Sequence, residues 1–148
     1  MKRIVFVSMA VFAAITVITL FSFRDDDKPL NKETTMAIGD KVEVYYFHLT
    51  RRCVTCIAVE NVTRDALQAF YPDEMSKGTV KYNVLNLDDE TTKPVAEKCR
   101  VSGQSLLIIS GDTRLDITDK GFMYARTDPD LLKSVIKKAI DPLLNSEK

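Results

Sequence analysis

At 148 residues the chain has room for one domain and a short extension, not for several domains. Its 21 Lys and Arg balance its 21 Asp and Glu with no block of five or six like charges, which argues against a nucleic-acid partner or an electrostatic hold on an anionic surface. Three cysteines, an odd number, exclude the disulfide framework of a small secreted scaffold: Cys53 and Cys56 form a close pair and Cys99 stands apart.

Lys2 and Arg3 precede a run over 4–23 that carries no charge, and Arg24-Asp25-Asp26-Asp27-Lys28 ends it. A basic flank before such a run is the signature of an export signal, and at ~1.5 Å per residue its length also matches a ~30 Å hydrocarbon core. A cleavage site needs small residues, but the alanines (Ala10, Ala13, Ala14) lie mid-run and the end is Leu20-Phe21-Ser22-Phe23, so a retained membrane anchor is favoured over a cleaved signal peptide. In either case the basic flank places the rest of the chain outside the cytoplasm, in the periplasm or cell envelope. Residues 24–39, polar and holding Pro29, read as a flexible tether, and the domain is expected over 40–148.

Within that domain, 41–48 (KVEVYYFH) is nearly continuous in β-branched and aromatic residues, as a buried central strand requires. Residues 54–71 follow with Ile57, Val62, Ala66, Leu67 and Phe70 near helical spacing, and Pro72 is expected to end that helix. A second strand is predicted over 79–87, and a short helix over 92–100 with Thr92 as its cap and Pro94 in its first turn. Residues 105–110 (SLLIIS) read as a third strand. Gly111-Asp112 then turns the chain into a fourth over 113–118, and Asp119-Lys120-Gly121 reads as the next turn. The final helix has Asp128 as cap, Pro129 at its first position, and an apolar face from Leu131 to Leu144, with Pro142 expected to break or bend its last turn. The order is β-α-β-α-β-β-α, an α/β domain whose mixed four-stranded sheet is flanked by three helices.

Cys53 falls at the junction of the first strand and the first helix. Unpaired backbone N–H groups and the positive end of the helix dipole favour its thiolate there, and Arg51 and Arg52 add positive charge directly before it. Cys56, one turn further on, is expected to be more buried and to keep its proton longer. Cys53 is then the nucleophile and Cys56 the resolving residue of a dithiol/disulfide pair that needs no cofactor. The same spacing is half of a zinc site.

On Val42-Glu43-Val44-Tyr45-Tyr46-Phe47, Cys53-Val54-Thr55-Cys56 and Val101-Ser102-Gly103-Gln104-Ser105-Leu106-Leu107-Ile108, the chain resembles the thioredoxin-fold family across roughly 41–144. The resemblance implies thiol-disulfide exchange. It also locates departures: Ser105 stands where the family has a cis-proline beside the dithiol, Phe47 where it has a buried acid, and Arg52 where it has a tryptophan. A trans bond is expected before Ser105, and a dedicated protein partner fits better than broad disulfide reduction. The string from Tyr45 to Cys56 is also similar to a group of secreted bacterial proteins labelled ArsF-like or nitroreductase-subunit, a label that implies no activity.

Two other readings use the same residues. Cys53 and Cys56 with His48 and Cys99 offer four soft ligands, as in a copper or zinc carrier. A non-catalytic adaptor subunit of a redox system would have no substrate of its own, and its disulfide chemistry would be optional. His48, the single histidine, is either a proton shuttle near the dithiol, a ligand, or a satisfied residue at a strand end. Cys99 is expected to be a small buried residue. Asp88-Asp89-Glu90 reads as a solvated loop, and Tyr45 and Tyr46 as strand packing.

Overall fold

The computed structural model describes residues 41–145. The apolar run over 4–23 and the tether over 24–39 lie outside the described residues, and among those described no helix is long and apolar enough to cross a membrane.

Strand β1 (Val42–His48) leads through a short loop into helix α1 (Val54–Phe70). Pro72 does not return the chain to a strand. It disfavours a helical conformation in Tyr71, which sits at φ −134° and ψ 41°, and then serves as the first residue of a second helix, α2 (Pro72–Lys77). Gly78 closes α2 in the left-handed region at φ 76°, where a side chain would be strained. Strand β2 (Val80–Asn86), a 3-10 turn (Glu90–Thr92) and helix α3 (Lys93–Lys98) follow. Thr92 precedes α3 as expected, but its backbone is already helical and its side chain makes no capping hydrogen bond.

Strands β3 (Ser105–Ser110) and β4 (Thr113–Asp116) form the hairpin across Gly111 and Asp112. The segment expected to turn at Asp119-Lys120-Gly121 is helical instead: α4 spans Thr118–Tyr124. Asp116 starts it locally, its carboxylate accepting from the Thr118 N–H at 3.1 Å and the Thr118 hydroxyl at 2.6 Å. Helix α5 (Pro129–Asn145) begins with the Leu131 N–H donating to Asp128 Oδ1 at 3.0 Å, and it continues helically past Pro142. A proline that near the helix end forgoes one hydrogen bond, while the flanking Ile140, Leu143 and Leu144 stay packed on the core. Among the described residues five helices therefore stand where three were expected.

The sheet order is β2-β1-β3-β4, with β1 and β2 parallel and β3 antiparallel to both β1 and β4. This is the mixed four-stranded sheet that the order of elements implied. Alternation along β1 and β3 divides the core. Val42, Val44, Tyr46, Leu106 and Ile108 meet α1 through Val59, Ala66 and Leu67, and α5 through Leu132, Ile136 and Ile140. Phe47 and Leu107 face the other way, onto Ala96 and Cys99 of the α3 region. Each fully buried leucine or isoleucine contributes about 1.5–3 kcal/mol by leaving water.

The register gathers the loops that matter at one end. Phe47 pairs with Ser105 and His48 with Asn86, so the ends of β1 and β2 and the start of β3 share the edge from which the Cys53 loop emerges.

Candidate functional site

The loop carrying Cys53 is tied down before the cysteine is reached. The Leu87 N–H donates to the His48 carbonyl at 2.7 Å, the Thr50 N–H to Asp88 Oδ2 at 2.8 Å, and the Asn86 amide to the Thr50 hydroxyl at 3.0 Å. Asp88, expected in a merely solvated loop, is thus a fixing point. Thr50's backbone bond holds its carboxyl below the usual carboxylate range.

Cys53 is the N-cap of α1, extended at φ −82° and ψ 166°, and its sulfur accepts the Cys56 N–H at 3.3 Å. A thiolate in this place supplies the anionic acceptor that a helix start lacks. The two sulfurs lie 2.8 Å apart, within hydrogen-bond reach as a thiol and thiolate. Cys53 is exposed and Cys56 buried. The bond from the Cys56 thiol, and after it the Cys56 amide, hold Cys53 below the ordinary thiol range. Burial, and then the bond to Cys53, push Cys56 above it. Cys53 is therefore the first sulfur to ionise and the one that solvent reaches.

Around the pair, Val54 and Ile57 are exposed apolar side chains, 64% and 45% accessible, on the turn that presents Cys53. Arg51 is exposed. Arg52 brings its charge beside the pair already matched by a carboxylate. Its guanidinium pairs with Glu60, lies 3.4 Å from the Cys56 carbonyl, and covers the Tyr46 ring at 5.7 Å. The Tyr46 hydroxyl donates to the same carbonyl at 2.9 Å. Burial first, and the nearby Cys56 next, push the Tyr46 phenol up to about 12, so it stays protonated as a donor. Glu60 is bridged on its other side by Arg64 at 2.6 Å. Burial pushes its carboxyl up, but the bonds from Arg64 and Arg52 outweigh burial and hold it below the usual range.

Neither Tyr46 nor Glu60 was singled out from the sequence for this site. The Glu60–Arg64 spacing is a helix-surface pair that could have been noticed, but Arg52 reaches Glu60 only because the Cys53 cap folds the chain back over the first two turns of α1.

The remaining candidates are dispersed. His48 ends β1 with Nδ1 3.0 Å from the Leu49 carbonyl and its ring 6.0 Å from that of Tyr46. Ser105 opens β3 after a trans peptide, its hydroxyl donating to the Gly103 carbonyl at 3.0 Å, and the described residues contain no cis bond. Cys99 packs with Phe47 and Leu107 on the sheet face opposite α1. The set Cys53, Cys56, His48 and Cys99 is therefore not brought together, because the sheet itself separates Cys99 from the pair. Among the described residues no group of three or more His, Cys, Asp or Glu is arranged to hold a metal.

No protein-family model matches the chain, and no curated protein matches it. Among solved structures it is similar to thioredoxin O2 from Arabidopsis thaliana in the oxidized state, at 22% identity over 68% of this chain and 76% of that one, with a TM-score of 0.47. It is similar also to thioredoxin from Trypanosoma brucei brucei, at 19% identity over 70% and 78%, with a TM-score of 0.43. Mitochondrial thioredoxin 3 from Saccharomyces cerevisiae is similar at 20% identity over 68% and 81%, again at 0.43. The fold and the dithiol described above stand on their own geometry.

Proposed function

We propose that the chain is a thiol-disulfide oxidoreductase or electron-transfer protein whose working group is the Cys53–Cys56 pair. One observation carries the reading: an exposed sulfur at a helix N-cap, held by a backbone N–H at 3.3 Å, with a buried second sulfur 2.8 Å away.

In the reducing direction the Cys53 thiolate attacks one sulfur of a partner disulfide. The partner's other sulfur leaves as a thiolate and takes up a proton, and a mixed disulfide to Cys53 remains. Cys56 then loses its proton to the leaving partner thiol and attacks Cys53 Sγ. Two electrons have passed to the partner, which ends as a dithiol, and the Cys53–Cys56 disulfide remains. The oxidising direction is the reverse. Tyr46 takes no proton in this sequence because its phenol is protonated at neutral pH. Its bond to the Cys56 carbonyl keeps the first turn of α1 in place while bonds at sulfur change.

The same proposal includes a dedicated protein partner and an extracytoplasmic setting. Support for the setting comes from Lys2, Arg3 and the uncharged run over 4–23, and the likeness to the ArsF-like secreted group agrees with it. Redox titration in glutathione buffers tests the chemistry: the pair is expected to form one intramolecular disulfide, and failure to form it in any buffer refutes the reading. A Cys56→Ser chain expressed in the native host is expected to accumulate a mixed disulfide through Cys53, which identifies the partner.

A further inference from the structure

Five side chains meet at the start of α1 and form a unit that exchange at the sulfurs does not itself require. Arg52, immediately before Cys53, pairs with Glu60 while reaching the Cys56 carbonyl and stacking on Tyr46. Glu60 is shared with Arg64, whose guanidinium lies 5.8 Å from the Tyr82 ring centre, and the Tyr82 hydroxyl donates to the Glu60 backbone carbonyl at 3.1 Å. The Glu60 side chain is 14% exposed and that of Arg52 22%, so their charges act through a medium less screening than bulk water. Removing Glu60 leaves Arg52 partly buried and unmatched.

We propose that Glu60 is a positioning residue that sets the reduction potential of the Cys53–Cys56 pair by matching the charge of Arg52 and holding it against the Cys56 carbonyl. This deepens the exchange reading and rests on it. With Glu60 in place, Arg52 contributes a donor and a flat surface for Tyr46, while its positive charge is largely cancelled next to the sulfurs. Without Glu60, the uncancelled charge favours the thiolate, hence the reduced pair, and the couple becomes more oxidising. Without Arg52, Glu60 remains held by Arg64, and the thiolate loses a cation. The couple then becomes more reducing. A purely structural role would lower stability in both variants and would not move the potential in opposite directions.

The experiment is equilibrium oxidation of the parent, Glu60→Gln, Arg52→Gln, the double variant and Arg64→Gln in glutathione buffers, with the fraction of disulfide read by alkylation. Glu60→Gln is expected to lower the equilibrium constant for disulfide formation, and Arg52→Gln to raise it, each by at least about threefold, the effect of one charge ~6 Å from a sulfur at the dielectric of bulk water. The double variant is expected within about twofold of the parent, since each change removes what the other acts on. Arg64→Gln, at the more exposed end, concentrates Glu60 on Arg52 and is expected to shift in the Arg52→Gln direction by a smaller factor. It serves as the test if either central variant fails to fold. Shifts of the same sign in Glu60→Gln and Arg52→Gln, or an Arg64→Gln chain indistinguishable from the parent, would overturn the inference while leaving the exchange reading standing. A parent that forms no disulfide overturns that reading instead.

Discussion

Replacing Gly121 probes how α4 is held against the site helix. Gly121 is buried in α4, and a Cβ built on it would lie 3.2 Å from Leu106 Cδ2 and 3.4 Å from Val59 Cγ1. Ordinary carbon contacts lie at about 3.5–4.0 Å. Both neighbours are fully buried, Leu106 on β3 and Val59 one turn beyond Cys56 on α1. For Gly121→Ala two effects oppose each other: alanine gains roughly 0.8–1 kcal/mol of helix propensity, while Leu106 must yield by a few tenths of an ångström. The two nearly cancel, and stability is expected within about 1 kcal/mol of the parent. For Gly121→Val the propensity gain shrinks to about 0.4 kcal/mol, and two further methyls enter a gap already closed. Overpacking of this kind costs about 1–3 kcal/mol, so a net loss near 2 kcal/mol is expected, or a fall in Tm of about 8–16 °C for a domain of this size. Urea unfolding of the reduced chain, with the slope checked for constancy, measures it. A Gly121→Val chain as stable as Gly121→Ala refutes the reasoning, since it would mean that α4 does not need a bare backbone at this position.

Three further outcomes follow from the same geometry. Titration by ultraviolet thiolate absorbance should show Cys53 ionising below the ordinary thiol pKa of about 8.5, and Cys56→Ser should move it back toward that value, because the Cys56 thiol is the leading cause of the shift. Cys99→Ala should leave the glutathione equilibrium of the pair unchanged, since Cys99 lies across the sheet, and a shift beyond about twofold would contradict the placement. Stability should fall with acid. Glu60, Asp116 and Asp141 all titrate below their ordinary range, so their contribution is complete above about pH 4–5 and is lost as pH falls through their lowered values. Glu60→Gln should flatten that acid limb, as followed by denaturant midpoints across pH.

The parts of the fold read correctly from sequence are those fixed by long local patterns. β3 was expected over 105–110 and found there, and α1 and α5 begin where Cys53 and Asp128 cap them. The two missed helices, α2 and α4, were hidden by residues with a second use. Pro72 ends one helix by starting another, and Gly121 marks a close approach rather than a turn. Both uses depend on what lies opposite, which local chemistry does not contain. The site divides in the same way. Cys53 and Cys56 were legible because cap and spacing are local. Glu60, a polar residue within a helix, gains its meaning from Arg52 folding back over the cap and from Tyr46 beneath it.

Cys99 has a practical consequence that comes from its burial alone. It is 4% exposed beneath the α3 region, and burial pushes its thiol above the ordinary range. An alkylating reagent therefore reaches it only when that face opens, whereas Cys53 reacts in the closed fold. Once the working pair is locked as a disulfide, the rate at which Cys99 is labelled becomes a built-in clock for local opening, timed by the chain's own third cysteine.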